Sequence, residues 1–116
     1  MRALVLTSAL VLSACSTVPS FYDDNESLLA VDVRMAVNEL NCTGQSVADE
    51  TAYLKWSIDR LAMYSESKKS TDVYPLVIKM KETTNGIETS PTICSLKKKV
   101  LDKQSADIAN AVMRRF

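Results

Sequence analysis

Apolar residues recur at helical spacing from Asp24 to the end of the chain, and this periodicity constrains the fold more than any other feature. Residues three and four apart share one side of a helix, so each apolar set forms a stripe that needs burial. Four such stripes joined by short polar breaks predict a mainly α fold, a small antiparallel bundle of about four helices. The stripes are Leu29, Val33, Val37 and Leu40; Val47, Leu54, Ile58 and Leu61; Val73, Leu76, Val77 and Met80; and Ile93, Leu96, Val100, Leu101, Ile108 and Val112.

Charge and capping signals mark the starts of three predicted helices. Asp23, Asp24 and Glu26 lie at the start of the first helix, where negative charge suits the positive end of the helix dipole. Ser46 stands three residues before an acidic residue, which is the spacing of a capping box. Ser90 and Pro91 have the order expected for an N-cap and the first residue of the last helix.

Residues 72–93 fit two different structures. Their apolar positions keep helical spacing, and Pro75 suits the first turn of a third helix. The alternative is a β-hairpin at about 76–93, because a short β-branched run is followed by Asn85-Gly86, the strongest two-residue hairpin signal. We favour the helix, since Asn-Gly also ends helices.

The first fourteen residues have the organisation of a signal peptide. Arg2 supplies a positive start, and residues 3–12 are apolar and uncharged. Ten helical residues span roughly 15 Å, about half the hydrocarbon thickness of a bilayer. This length favours a cleaved signal over a permanent membrane span.

The residues after this apolar run resemble the lipobox of bacterial lipoproteins. The sequence is Leu12-Ser13-Ala14-Cys15, with two small residues before the cysteine. The resemblance implies that the Cys15 thiol carries diacylglycerol, that the chain is cut before Cys15, and that the new amino terminus is acylated. The neutral Ser16 resembles lipoproteins exported to the outer membrane. An ordinary secretory signal cut after Ala14 is the alternative, although Leu12 fits the small-residue rule of that cleavage poorly.

The resemblance divides the chain into three parts. Residues 1–14 are the predicted signal peptide, residues 15–23 are the lipidated cysteine and a short tether, and residues 24–116 are a helical domain in the periplasm. The lipid is the predicted contact with the membrane. Three acyl chains exceed the two signals that stable anchoring needs.

The lipobox also changes how the three cysteines are counted. With Cys15 assigned to lipid, Cys42 and Cys94 remain as an even pair in an exported chain, which favours a disulfide. In an antiparallel bundle the end of the first helix and the start of the fourth lie at the same end, where both cysteines fall. Closing this loop contributes about 4 kcal/mol in the chain-entropy model. Free thiols and disulfides between chains remain alternatives.

The composition argues against catalysis. The chain has no histidine, which removes the commonest general base and the usual zinc ligand. Two glycines cannot form a glycine-rich phosphate loop. The serines beside lysines, such as Ser70, are predicted to lie in solvated segments that would not activate a nucleophile. A net charge of zero argues against nucleic acid as a partner. We therefore predict a non-enzymatic protein with no cofactor and no metal site.

Three aromatic residues of the predicted second helix are candidates for binding a partner. Tyr53, Trp56 and Tyr64 belong to the residue types that dominate interface hot spots. At this helical spacing, however, such rings are more often part of a core, and we favour the core.

The basic last helix is a second candidate surface. Residues 67–116 hold ten basic and five acidic residues, whereas residues 15–66 hold three basic and nine acidic ones. Lys97, Lys98 and Lys99 concentrate this positive charge, which would steer an acidic partner or anionic headgroups. The alternative, which we favour, is a solvated helix face folded against the acidic half.

These features predict an envelope protein that binds another envelope protein. In its lipobox and its size the chain resembles the outer subunits of phage spanin pairs, which join the outer and inner membranes during host cell lysis. The alternative is an exclusion or inhibitor lipoprotein that masks an envelope receptor or enzyme. The exclusion or inhibitor role needs one exposed patch, and the candidates are Trp56 with its neighbours or the basic last helix.

Overall fold

The computed structural model describes residues 23–115 and consists of four helices over that range. They are α1 (Asp24–Glu39), α2 (Val47–Lys68), α3 (Tyr74–Thr83) and α4 (Pro91–Met113). The described range contains no strand, so the predicted helical fold is confirmed. The predicted signal peptide, the lipobox and Cys15 lie outside the described residues.

The helices form a ring in which each one packs against two others. Helix α1 packs against α2 and α4, and α3 packs against the same two helices on the other side. Contacts at both ends of the bundle show that neighbouring helices run antiparallel. Asp72, just before α3, bonds Arg115 just after α4, whereas Thr83 at the end of α3 accepts a bond from Lys97 near the start of α4.

One of the two predicted side-chain caps forms, at Ser90, and Asp23 caps α1 as well. The Asp23 carboxylate accepts hydrogen bonds from the backbone N–H groups of Asn25 and Glu26, at 2.8 and 3.2 Å. The Ser90 hydroxyl accepts a bond from the backbone N–H of Ile93 at 3.1 Å. Ser46 is the N-cap residue of α2 but makes no side-chain cap bond, so the predicted capping box is wrong.

The segment that fitted two structures is helical. Residues 76–83 belong to α3 and the chain then turns through Asn85 and Gly86, so the alternative of a hairpin at about 76–93 is wrong. Gly86 has φ of 75°, a left-handed conformation that glycine adopts without steric cost. The Asn-Gly pair therefore follows the end of a helix instead of joining two strands.

The core lies along the axis of the ring and matches most predicted apolar positions. Two positions of α4 are wrong: Leu96 is 59% exposed and Val100 is 48% exposed. Each residue rotates a helix by about 100°, so Val100 points away from the buried Leu101 beside it. Cys94 and Ser105 complete the buried stripe instead.

The predicted disulfide is confirmed. Cys42 follows α1, Cys94 lies in the first turn of α4, and their Cα atoms are 5.6 Å apart. The bond joins the two helices at one end of the bundle and closes a loop with a sequence separation of 52 residues.

Candidate functional site

Large apolar side chains are exposed mainly on the outer surfaces of α1 and α2. Isolated exposed apolar residues are ordinary in soluble proteins, but contiguous ones mark interaction sites. Six of the nine exposed large apolar residues within residues 23–115 belong to these two helices, and the others belong to α4. The six are Leu28, Val31, Met35, Tyr53, Trp56 and Met63.

The three exposed apolar residues of α1 form one stripe. Leu28, Val31 and Met35 follow each other at spacings of three and four residues and are 63%, 46% and 53% exposed. The buried Val33 and Val37 of the same helix point into the core. Helical geometry places the exposed stripe on the side opposite these two valines, so α1 has a core face and a second, outward apolar face.

The outward stripe of α2 contains the single tryptophan of the chain. Tyr53, Trp56, Arg60 and Met63 repeat the spacing of three, four and three residues. The rings of Tyr53 and Trp56 are 5.8 Å apart at their centroids. The Arg60 guanidinium lies over the indole, 4.6 Å from the ring centroid, which is a cation–π contact. These contacts hold the exposed aromatic side chains in place on the surface of the helix.

An ion pair between the two helices shows that the stripes lie side by side. Arg60 Nη2 is 3.7 Å from Asp32 Oδ2. Asp32 is within one turn of both Leu28 and Met35 on α1. Arg60 is equally close to Trp56 on α2. We call the six exposed apolar residues around this pair the α1/α2 face.

The prediction that the aromatic set belongs to the core is wrong for two of its members. Tyr53 and Trp56 are about half exposed, at 47% and 52%. A signal for this was present in the sequence: Trp56 stands two residues from both Leu54 and Ile58, which places it across the helix from that buried stripe.

Tyr64 separates from the other two aromatic residues and has a structural contact. It is half-buried, and its hydroxyl donates to Asp23 Oδ2 at 2.8 Å. Lys68 Nζ also lies 3.0 Å from the same oxygen. The bond from Tyr64, and to a smaller extent the one from Lys68, lowers the pKa of the Asp23 carboxyl to about 2. The same bond to a carboxylate raises the pKa of Tyr64. Tyr64 therefore fixes the start of α1 against the end of α2.

Two of the three candidate lysines bind carbonyl groups at helix ends. Lys97 Nζ donates to the carbonyl oxygen of Thr83 at 2.9 Å, in the last turn of α3. Lys98 Nζ donates to the carbonyl oxygen of Leu40 at 2.5 Å, at the end of α1. A cation at the C-terminus of a helix satisfies free carbonyls and the helix dipole. Lys99 alone is exposed, so the triplet does not form a continuous basic surface.

A buried charge cluster at the opposite end from the disulfide was not predicted. The Glu26 carboxylate is fully buried and pairs with the guanidinium of Arg115. It also accepts hydrogen bonds from the hydroxyls of Ser65, at 3.1 Å, and Ser70, at 2.7 Å. The expectation that Ser70 lies in a solvated segment is therefore wrong. Arg115 also binds both carboxylate oxygens of Asp72, at 2.8 and 2.6 Å.

The two ion pairs of Arg115 shift the pKa values of this cluster toward the charged forms. The hydrogen bonds from Arg115 lower the pKa of the Asp72 carboxyl, and the bonds to Asp72, followed by those to Glu26, raise the pKa of Arg115. The cluster joins residues 89 positions apart and ties the C-terminal end of the chain to α1. No local sequence signal identifies such a pair, because it depends on how the helices pack.

A cleft of about 570 Å³ lies between α3 and α4. Leu76 and Val100 supply apolar surface, while Lys79, Lys103 and Asp107 supply charge. Lys103 is already paired with Asp107 at 3.3 Å.

Within residues 23–115, no three cysteine, aspartate or glutamate side chains are grouped closely enough to hold a metal ion. None of the four described helices has the length and apolar content needed to cross a membrane. Comparisons of the chain with models of known protein families, with curated protein sequences and with solved structures give no match.

Proposed function

We propose that this chain is a lipoprotein of the outer membrane that faces the periplasm and binds another envelope protein through the α1/α2 face, without catalysing a reaction. One observation carries the proposal: six large apolar side chains, including the only tryptophan, are exposed on two adjacent helices. Tryptophan, tyrosine, methionine and arginine are enriched in protein interfaces, and all four types are present on this surface.

Two further features support an anchored protein of the envelope. Disulfides persist in oxidising compartments such as the bacterial periplasm, and the domain contains the Cys42–Cys94 bond. Helix α1 begins at Asp24, nine residues after Cys15. A chain segment of that length spans at most about 32 Å, so an anchor at Cys15 would keep the α1/α2 face close to the membrane.

The anchor is tested by mass spectrometry of the chain purified from bacterial membranes. We expect a mature amino terminus at Cys15 that carries diacylglycerol and a third acyl chain, and loss of processing in the Cys15→Ala variant. An amino terminus without lipid would contradict the proposal. Fractionation of inner and outer membranes then tests the location that Ser16 suggests.

The binding surface is tested with a photo-cross-linking amino acid placed in living cells. At the positions of Trp56 and Met35, we expect adducts with one envelope protein. Leu96 on α4 is the matched control, because it is apolar and 59% exposed, compared with 52% for Trp56. Equal adducts at Leu96 and Trp56 would show that the α1/α2 face is not a specific surface.

Two activities follow from binding of this kind. In a spanin-type role, deletion of the gene blocks the last step of host lysis and the bound protein belongs to the inner membrane. In an exclusion or inhibitor role, the chain expressed alone protects cells against phage or lysozyme. The exposure of Trp56 supports the exclusion or inhibitor role too, because masking a receptor needs one exposed patch on the domain.

A further inference from the structure

The spacing of the exposed residues indicates what shape of partner fits the α1/α2 face. Residues three and four apart in alternation form the seam that a helix presents to another helix in a coiled coil. Leu28, Val31 and Met35 have this spacing on α1, and Trp56 and Met63 belong to such a series on α2. The two neighbouring rows of apolar side chains, one on each helix, offer a surface on which the apolar seam of a third helix can pack.

The exposed charges of this face indicate the chemistry of the partner. Asp24 lies one turn before Leu28, and Glu39 lies one turn after Met35. Asp49 lies one turn before Tyr53. None of the three carboxylates makes an ion pair with another residue in the range 23–115.

Two arginines lie within one turn of the stripes. Arg60, which faces both helices, is held by Asp32 and by the Trp56 ring, and Arg34 is exposed one turn after Val31. The described residues of the first half of the chain, 23–66, contain nine acidic and three basic residues. The face therefore has an apolar centre with acidic ends.

We propose that the partner segment is a single amphipathic helix with a narrow apolar seam and lysine or arginine residues beside it, lying along the two stripes of the α1/α2 face. This inference rests on the proposed function and names the partner chemistry of the same surface. Helix α1 has 16 residues and is about 24 Å long. A partner helix of four to five turns therefore covers the face, and basic residues at its two ends meet the acidic ends of the face.

A second copy of the chain and a lipid surface fit this face less well. In a two-fold dimer the same surface meets itself, so carboxylates at the ends of the face would be brought together without counter-charges. Anionic headgroups would meet the same carboxylates with repulsion. A basic helix from another protein satisfies the apolar centre and the acidic ends together.

The test uses two synthetic peptides of three heptads, with leucine at the seam positions and either lysine or glutamate on the flanks. Binding to the whole chain in a neutral detergent is followed through the fluorescence of Trp56, the only tryptophan. We expect the lysine peptide to bind with one-to-one stoichiometry, at least about tenfold more tightly than the glutamate peptide. High salt should reduce this difference.

Matched variants show whether the peptide binds the α1/α2 face specifically or is attracted by the net charge of the chain. A triple variant Asp24→Asn, Glu39→Gln and Asp49→Asn should weaken binding of the lysine peptide about tenfold. The control triple variant neutralises three exposed carboxylates on α3 and α4 and has the same net charge; it is Glu82→Gln, Asp102→Asn and Asp107→Asn.

Truncating apolar side chains to alanine tests the centre of the α1/α2 face in the same way. Met35→Ala and Met63→Ala should each weaken peptide binding by about tenfold, whereas Leu96→Ala on α4 should leave it unchanged. Equal affinity for both peptides, or equal effects of the face and control variants, overturns the inference. A dimer in sedimentation that Met35→Ala dissociates also overturns it, because a second copy then occupies the face.

The outcome separates this inference from the proposed function. If cross-linking at Trp56 captures an envelope protein specifically but both peptides bind alike, the face binds a partner of different chemistry and only the basic helix is wrong. If no specific adduct forms at Trp56, the proposed function fails and this inference fails with it.

Discussion

Replacing Arg115 by methionine tests the energetic role of the buried charge cluster. The substitution keeps much of the side-chain volume but removes the cationic partner of Glu26, whose carboxylate has no exposed surface. Two hydroxyl donors, Ser65 and Ser70, remain on that carboxylate. The change therefore leaves a buried charge with hydrogen bonds but without a counter-charge.

The expected cost follows from the two ion pairs that Arg115 makes. Breaking a buried pair by removing one partner costs about 3–5 kcal/mol. Loss of the pair with Asp72 adds little to this cost, because the Asp72 side chain is 40% exposed. Since two serine donors still stabilise Glu26, we expect the free energy of unfolding to fall by about 3 kcal/mol. For a domain of this size, that corresponds to a melting temperature lower by roughly 12–24 °C.

The assay is urea unfolding followed by circular dichroism, with a double variant and a surface control. Glu26→Gln with Arg115→Met removes both charges, so we expect it to be more stable than Arg115→Met alone by about 1–2 kcal/mol. Arg114→Met removes an exposed neighbouring charge and should change stability by less than about 0.5 kcal/mol. If Arg115→Met stays within about 1 kcal/mol of the unmodified chain, or the two single effects simply add in the double variant, then the buried pair does not have the proposed energetic role.

Three further predictions concern the disulfide, a helix end and an acidic cap. Cys94→Ser should lower the free energy of unfolding by about 4 kcal/mol, measured in urea; an unchanged transition would show that loop closure does not stabilise the domain. Lys98→Met should cost about 1–2 kcal/mol in the same assay because helix-end carbonyls lose a charged donor, whereas exposed Lys99→Met should cost less than about 0.5; equal effects would contradict the capping role. Because the pKa of Asp23 falls from 3.8 to about 2 on folding, its stabilising contribution is complete above about pH 4 and is lost as the pH falls toward 2. Tyr64→Phe should reduce that loss of stability between pH 5 and pH 2, and an identical pH dependence in both chains would exclude the Tyr64 bond as its cause.

The helices and their ends were largely predictable because the interactions that define them are local. A helical hydrogen bond joins residues four apart, and the caps of α1 and α4 act over two or three residues. The disulfide was predictable because Cys15 belongs to a predicted lipobox, which leaves Cys42 and Cys94 as a pair, and because an up-and-down bundle places both at one end. The hairpin alternative arose because Asn85-Gly86 supports both a hairpin turn and the end of a helix, and local signals do not separate these outcomes.

The candidate site was predicted only in part. Trp56 and Tyr53 were identified as candidates for binding but assigned to the core, although Trp56 stands across its helix from Leu54 and Ile58. The apolar stripe on α1, Leu28 to Met35, was not predicted, because the same helix also has a more regular stripe that faces the core. The roles of the lysines at the helix ends required the packing of α4 against its neighbours.

By itself, the amino-acid order determined where helices begin and end and which side of each helix has a continuous apolar stripe, because those properties depend on residues within four positions of one another. Only the tertiary structure decided which apolar residues stay exposed and which charges meet. The pair of Glu26 and Arg115 is separated by 89 positions, and the two stripes of the α1/α2 face belong to different helices. Such contacts form only when the packing of the core has brought distant segments side by side.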